Sequence, residues 1–134
     1  SCIDISDGLL SEAQHIANAS NVHIEIEFNA IPTELGEALS SADFGLPAQH
    51  CVLATGDAYE LLFTAPVSQH NHIEALFQRL SLGGACIGRV VAAVASDSAN
   101  VTHAANSKAN VRVFDAQSRI VNVTKQGWDH FGHD

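Results

Sequence analysis

Residues 4–28 read DISDGLLSEAQHIANASNVHIEIEF, a stretch in which two hydrophobic periods follow one another. Apolar residues first recur at intervals of three and four from Leu9 to Ala17, which predicts a helix from about Asp7 to Ala19. From Val22 to Phe28 apolar and polar residues then alternate, which is typical of a strand with one buried face. The stretch therefore predicts a helix that ends near Asn21 and leads directly into a strand.

The same signals predict further helices and strands along the chain. They indicate a strand from Tyr59 to Thr64, a helix from Ser68 to a stop at Gly83 and Gly84, a strand from Ala85 to Val94, and a hairpin with arms Val111 to Phe114 and Arg119 to Val123. The strand at Tyr59 to Thr64 has apolar residues on both faces, so we expect it in the centre of a sheet. Because helices and strands alternate, we expect an α/β or α+β fold, a mixed sheet flanked by helices, in one domain over residues 1–134.

The composition narrows the classes of function. The chain has 134 residues, of which 46% are hydrophobic, and its formal net charge is −9 with only six Lys and Arg. So few cations argue against a nucleic-acid or anionic membrane surface, and no apolar run approaches the roughly 20 residues that cross a bilayer. A cytoplasmic location is therefore the default expectation. The three cysteines, at positions 2, 51 and 86, match neither a zinc site nor a disulfide framework.

The opening stretch also carries groups that suit metal-bound phosphate. In an extended backbone Asp4 and Ser6 project from one face, whereas Ile3 points to the opposite, buried face. Asp7 stands at the helix entry, where unpaired N–H groups favour phosphate and carboxylates can hold the magnesium that accompanies nucleotides. Ser and Asp are also the ordinary N-cap residues of any helix, so this stretch alone leaves a purely structural role open.

Two further clusters contain candidate binding residues. In Gly56 to Phe63 a glycine turn leads into the predicted strand, and Asp57 at that edge can accept a hydrogen bond from a ligand amine. The tail from Gly127 to Phe131 contains the lone Trp of the chain, Trp128, whose flat face suits stacking on a heteroaromatic ring. A lone Trp near a chain end is also a common plug over a core, so both roles remain open.

Taken in order, the three clusters resemble one family. Asp-Ile-Ser-Asp-Gly-Leu, Gly-Asp-x-Tyr-Glu-Leu-x-Phe and Gly-Trp-Asp-His-Phe look like the C-terminal domain of thiamine-monophosphate kinase. That family is related to aminoimidazole ribonucleotide synthase, selenophosphate synthetase and hydrogenase-maturation factor E. The resemblance implies a fold similar to the C-terminal domain of aminoimidazole ribonucleotide synthase. It also implies transfer of the ATP γ-phosphoryl group to thiamine monophosphate with Mg²⁺.

The resemblance also implies roles for individual residues. It makes Asp4 and Asp7 magnesium ligands and Ser6 an ATP contact, and it gives substrate binding to Asp57 and Trp128. Asp57 is shorter than the Glu most common at its position. Ala58 stands where the family usually has Asp, which puts that half of the pocket in question.

The family resemblance and the motif at the very start of the chain imply a longer protein. We expect an N-terminal ATP-binding domain absent from this chain, a homodimer in the full-length enzyme, and no activity in the isolated part.

Three other interpretations remain open from the sequence. The chain can be the equivalent domain of another ATP-using superfamily enzyme, which would consume a different phosphate acceptor. It can be a non-catalytic ligand-binding relative, for which Ala58 is the best argument. It can also be a structural domain whose acidic residues are solvated helix caps, with no magnesium-dependent binding.

Overall fold

The computed structural model describes residues 1–32, 53, 60–93 and 109–121, which include two α-helices and five strands. In chain order these are β1 (Cys2–Asp4), α1 (Leu9–Ser20), β2 (Val22–Glu27), β3 (Leu61–Phe63), α2 (His70–Leu80), β4 (Gly88–Ala92) and β5 (Asn110–Phe114). Strands β1 and β3 form a two-stranded sheet, and the second sheet has the order β4, β2, β5. Neither of the two helices is long and apolar enough to cross a membrane.

The three-stranded sheet is mixed. Its middle strand, β2, pairs antiparallel with β4 and parallel with β5, so that Glu25 lies opposite both Arg89 and Arg112. The Arg89 guanidinium forms an ion pair with Glu25 at 2.7 Å. This mixed sheet with a helix packed on it confirms the predicted fold class.

The core lies between α1 and the strands. Helix α1 packs on β2 and β5 and also touches β1 and β3. Ile24 and Ile26 of β2 are both buried, as the alternation predicts, and Ile26 is only 1% exposed. Among the residues that the structure describes, the buried apolar ones are Leu9, Leu10, Ala13, Ile16, Ala17, Ile24, Ile26, Leu53, Ala109 and Val113. The helix therefore joins the two sheets into one core, which fixes the position of its first turn.

Both helices end in a left-handed residue. Asn21 closes α1 with φ 50°, where the sequence predicts the end. In α2 the left-handed residue is Ser81, with φ 54°. The Ser81 N–H donates to Gln78 O at 3.2 Å and the next N–H, of Leu82, donates to Phe77 O at 2.9 Å, which is a Schellman motif. Because this motif satisfies the last carbonyls of the helix, the predicted stop at the later glycine pair is wrong.

Strand β3 has one strand partner in the described residues. It pairs antiparallel with β1, with Leu62 opposite Ile3 and Leu61 opposite Asp4. Leu62 is half-buried, whereas Leu61 is 68% exposed. Within the described part of the chain, the prediction of a central strand with two buried faces is therefore wrong, because only one face meets the core.

A hairpin follows β5. The Val121 N–H donates to Val113 O at 2.9 Å, so the predicted hairpin is confirmed as far as Val121; residues 122 and 123 lie outside the described ranges. Asp115 organises the turn, because its Oδ1 accepts the backbone N–H groups of Gln117 and Arg119, each at 2.9 Å. The hydrogen bond from the Arg119 backbone N–H, more than any other contact, lowers the pKa of Asp115.

Candidate functional site

An open groove of about 570 Å³ runs along α1 beside β1. Its lining residues are Ser1, Cys2, Ile3, Asp4, Ser6, Asp7, Glu12, His15, Ile16, Ala19 and Ser20. The three site residues predicted near the start of the chain, Asp4, Ser6 and Asp7, therefore line one groove. Its charged side chains are the carboxylates of Asp4, Asp7 and Glu12, and none of the lining residues in the described ranges is Lys or Arg.

The pairing of β1 with β3 sets the direction of the segment that carries these residues. The Ile5 N–H donates to the backbone carbonyl of Glu60 at 2.8 Å, which extends the pairing one residue past Asp4. Ile3 and Ile5 are half-buried against the core, whereas Asp4 is exposed. The predicted separation into a buried face and an outward face is therefore confirmed at these three residues. Ser6, which follows, is half-buried.

Gly8 turns the chain from this segment into α1. It is buried and is the N-cap of the helix, with φ 111° and ψ 149°, a conformation that residues with a Cβ rarely adopt. Because the N-cap is a glycine, no N-cap side chain binds the first-turn N–H groups. Neither Ser6 nor Asp7 is therefore the N-cap, as a purely structural role of this stretch would require. N–H groups without a side-chain cap and the positive end of the helix dipole favour an anion near this turn.

Glu12 is the groove residue that the sequence reasoning missed. Although it is acidic, it is only 3% exposed. Its Oε1 accepts hydrogen bonds from Ser6 Oγ and from the Asp7 backbone N–H, each at 3.4 Å. The signal was available in the helical period, because Glu12 lies three residues after Leu9 and four before Ile16, on the apolar side of the helix.

The donor atoms of the groove fit a magnesium ion. Mg²⁺ takes oxygen ligands and is usually bound by one or two carboxylates, with phosphate oxygens and water completing its coordination. In the described residues no group of three or more His, Cys, Asp or Glu side chains is arranged to hold a metal ion without other ligands. In the described residues Glu12 Oε1 accepts two hydrogen bonds of 3.4 Å, which are longer than the usual 2.7–3.2 Å. A cation shared with a bound phosphate suits this donor set.

The remaining site predictions fall elsewhere in the chain. Asp57 and Trp128, the residues predicted to bind substrate, lie outside the described residues, and so does Ala58. Their roles stay predictions.

Comparisons with known proteins link this fold to one family. Thiamine-monophosphate kinase of Haemophilus influenzae is 33% identical over 88 residues, which cover 66% of this chain and 26% of that enzyme. The crystal structure of thiamine-monophosphate kinase from Stenotrophomonas maltophilia superposes with a TM-score of 0.61 at 35% identity, over 69% of this chain and 28% of that one. A structure described as AaThiL complexed with AMPPCP and TMP superposes with a TM-score of 0.62 at 28% identity, over 98% of this chain and 33% of that one. No family model matches the chain.

These similarities establish the fold class of the chain and its family. The structural matches give the chain the aminoimidazole ribonucleotide synthase-like fold that its motifs predict. Within that class, the chain is a homologue of thiamine-monophosphate kinase over most of its own length, which confirms the predicted family. The chain spans about a quarter to a third of the length of these relatives.

Proposed function

We propose that this chain is the C-terminal part of an ATP-dependent kinase that phosphorylates thiamine monophosphate to thiamine diphosphate. The observation that carries the proposal is the match, over 98% of the chain, to a structure described as complexed with AMPPCP and TMP. AMPPCP is an ATP analogue, so that relative binds a triphosphate nucleotide together with the second ligand. The homology to enzymes named thiamine-monophosphate kinase supports the same reaction.

The charge of the groove is consistent with this reaction only if cations accompany the substrates. ATP and thiamine monophosphate are both anions, and the groove contributes three carboxylates. Bound Mg²⁺ would neutralise the phosphates and align the attacking oxygen with the leaving group, which is the main requirement of phosphoryl transfer. The γ-phosphoryl group then passes directly to the phosphate of thiamine monophosphate, and ADP leaves.

The residues of this chain have distinct roles in the proposal. Asp4 and Asp7 would hold magnesium, and Ser6 would contact the nucleotide. The support for these roles is their shared groove and the N-terminus of α1 beside them, where Gly8 leaves the first-turn N–H groups without a side-chain cap. Asp57 and Trp128 bind thiamine monophosphate, the first by a hydrogen bond to its amine and the second by contact with its ring.

The proposal extends to the rest of the enzyme. We propose that an N-terminal ATP-binding domain precedes this chain and that the full-length enzyme is a homodimer. A cytoplasmic location belongs to the same proposal, because ATP is the phosphoryl donor.

The decisive experiment measures thiamine diphosphate formed from ATP, Mg²⁺ and thiamine monophosphate by the enzyme that contains this chain. The double variant Asp4→Asn with Asp7→Asn should lower kcat/KM by more than about 100-fold, since changes around a metal site already cost about 10- to 100-fold when only a supporting residue is lost. Glu74→Gln, an exposed carboxylate on α2 that does not line the groove, is the control and should leave the rate unchanged. No thiamine diphosphate from the unmodified enzyme, or near-normal turnover by the double variant, would contradict the proposal.

The substrate role of Trp128 has its own test. Trp128→Ala should raise the KM for thiamine monophosphate more than the KM for ATP, because the lost ring contact concerns only the acceptor. Steady-state kinetics with each substrate varied in turn measures both constants. An equal rise in the two would mean that Trp128 only supports the fold.

A further inference from the structure

The buried carboxylate of Glu12 connects helix α1 to the segment that carries the proposed nucleotide ligands. Glu12 lies in the first turn of α1 and is 3% exposed, yet it lines the groove. One of its oxygens, Oε1, accepts both Ser6 Oγ and the Asp7 backbone N–H. No ion pair of Glu12 occurs among residues 1–32, 53, 60–93 and 109–121. These two hydrogen bonds are therefore its specific polar contacts there.

We propose that Glu12 is a positioning residue for phosphoryl transfer, which fixes the Ser6–Asp7 segment so that both residues face the nucleotide. This inference rests on the proposed function of the groove. Glu12 itself need not touch substrate. It acts through Ser6, whose hydroxyl it orients, and through the backbone of Asp7, whose carboxylate direction follows from that backbone.

The burial of Glu12 explains why a carboxylate at this position can hold the Ser6–Asp7 segment in one conformation. Its helix is held on both sheets by the core, so the carboxylate is a fixed acceptor, whereas Ser6 and Asp7 belong to an irregular segment between β1 and α1. A negative charge in the first turn is also favoured by the helix dipole. Correct orientation matters for the rate, because a displacement of about 1 Å at a reacting group can cost about 100-fold.

The first test reads the Asp7 hydrogen bond directly, without activity. Hydrogen–deuterium exchange of the full enzyme is measured on the peptide that spans Ser6 and Asp7. Loss of one hydrogen bond in Glu12→Ala should speed exchange of the Asp7 amide by about 2- to 12-fold. Glu12→Gln keeps a side-chain oxygen acceptor at the same reach and should return exchange to within about twofold of the unmodified enzyme. Glu74→Gln, which removes an exposed carboxylate from the other helix, is the control for loss of charge.

The second test separates positioning from a purely structural role. Glu12→Ala should lower kcat/KM for ATP by about 10- to 100-fold and change the KM for thiamine monophosphate by less than about twofold. Glu12→Gln, which should restore slow exchange of the Asp7 amide, should also restore kcat/KM for ATP. Three results would overturn the inference. They are unchanged exchange of the Asp7 amide in Glu12→Ala, a change of more than about twofold in the KM for thiamine monophosphate, and exchange in Glu12→Gln that is as fast as in Glu12→Ala. If the unmodified enzyme transfers no phosphate, the proposed function fails on that assay, whereas the exchange comparison still decides whether Glu12 holds this segment.

Discussion

The conformation of Gly8 gives a prediction whose sign and size follow from the structure. Gly8 has φ 111° and ψ 149°, in a region that is almost exclusive to glycine. Replacing it with Ala should strain the folded chain by about 1–3 kcal/mol. The same replacement restricts the unfolded chain, which by itself stabilises a protein by about 0.4–1 kcal/mol. Because the strain exceeds that gain, Gly8→Ala should lower the free energy of unfolding.

Gly83 supplies a matched control for this experiment. A Cβ added at Gly83 has no atom within 4 Å, and its φ lies outside the positive range. Gly83→Ala therefore has only the unfolded-state term and should be neutral or stabilising by up to about 1 kcal/mol. Since both variants share that term, the difference between their unfolding free energies should equal the strain at Gly8, about 1–3 kcal/mol.

Urea denaturation of the 134-residue chain and the two variants, followed by circular dichroism, measures these free energies by linear extrapolation. Equal midpoints for the two variants at equal slopes would refute the reasoning. They would mean that the segment before α1 adopts another conformation without cost, and the position assigned to Asp7 would then no longer be tied to Gly8.

Two further predictions concern the core and the hairpin. Ile26→Ala should lower the free energy of unfolding by about 2–5 kcal/mol, because Ile26 is only 1% exposed. Val67 is 92% exposed, so Val67→Ala should change that free energy by less than about 0.5 kcal/mol. Similar values for the two variants would contradict the assigned core. The folded state lowers the pKa of Asp115, chiefly through the Arg119 N–H, so its stabilisation is present above its ordinary pKa of about 3.9 and is lost as the pH falls through the lowered value. Denaturation midpoints between pH 7 and pH 2 should therefore converge for the unmodified chain and Asp115→Asn below about pH 4, and a constant difference over that range would argue against an ionised Asp115 in the turn.

The sequence predicted the individual helices and strands better than the pairing between the strands. Helix α1 and strand β2 follow from hydrophobic period alone, because each buries one face, and Asn21 ends the helix where expected. The parallel pairing of β2 with β5 joins segments far apart in sequence, which no local pattern records. The end of α2 at Ser81 was missed for a different reason. Here a serine adopts the left-handed conformation that is expected of glycine at the end of a helix.

The sequence singled out the more exposed groups of the candidate site and missed the buried one. Asp4, Ser6 and Asp7 were found from the two-residue period and the helix entry, and they line one groove. Glu12 was overlooked because an acidic residue in a first turn is usually solvated, and only its place among apolar neighbours signals burial. The family resemblance added the proposed reaction, which neither the hydrophobic period nor the motif spacing indicates.

The position of β5 has a consequence for synthesis of the protein. Until residues 110–114 have left the ribosome, β4 is the only described strand beside β2, and one row of the backbone N–H and C=O groups of β2 is open to any extended chain nearby. A nascent chain stalled before that point presents an aggregation-prone edge that the finished sheet conceals. Chaperone dependence during translation should therefore fall sharply once β5 emerges.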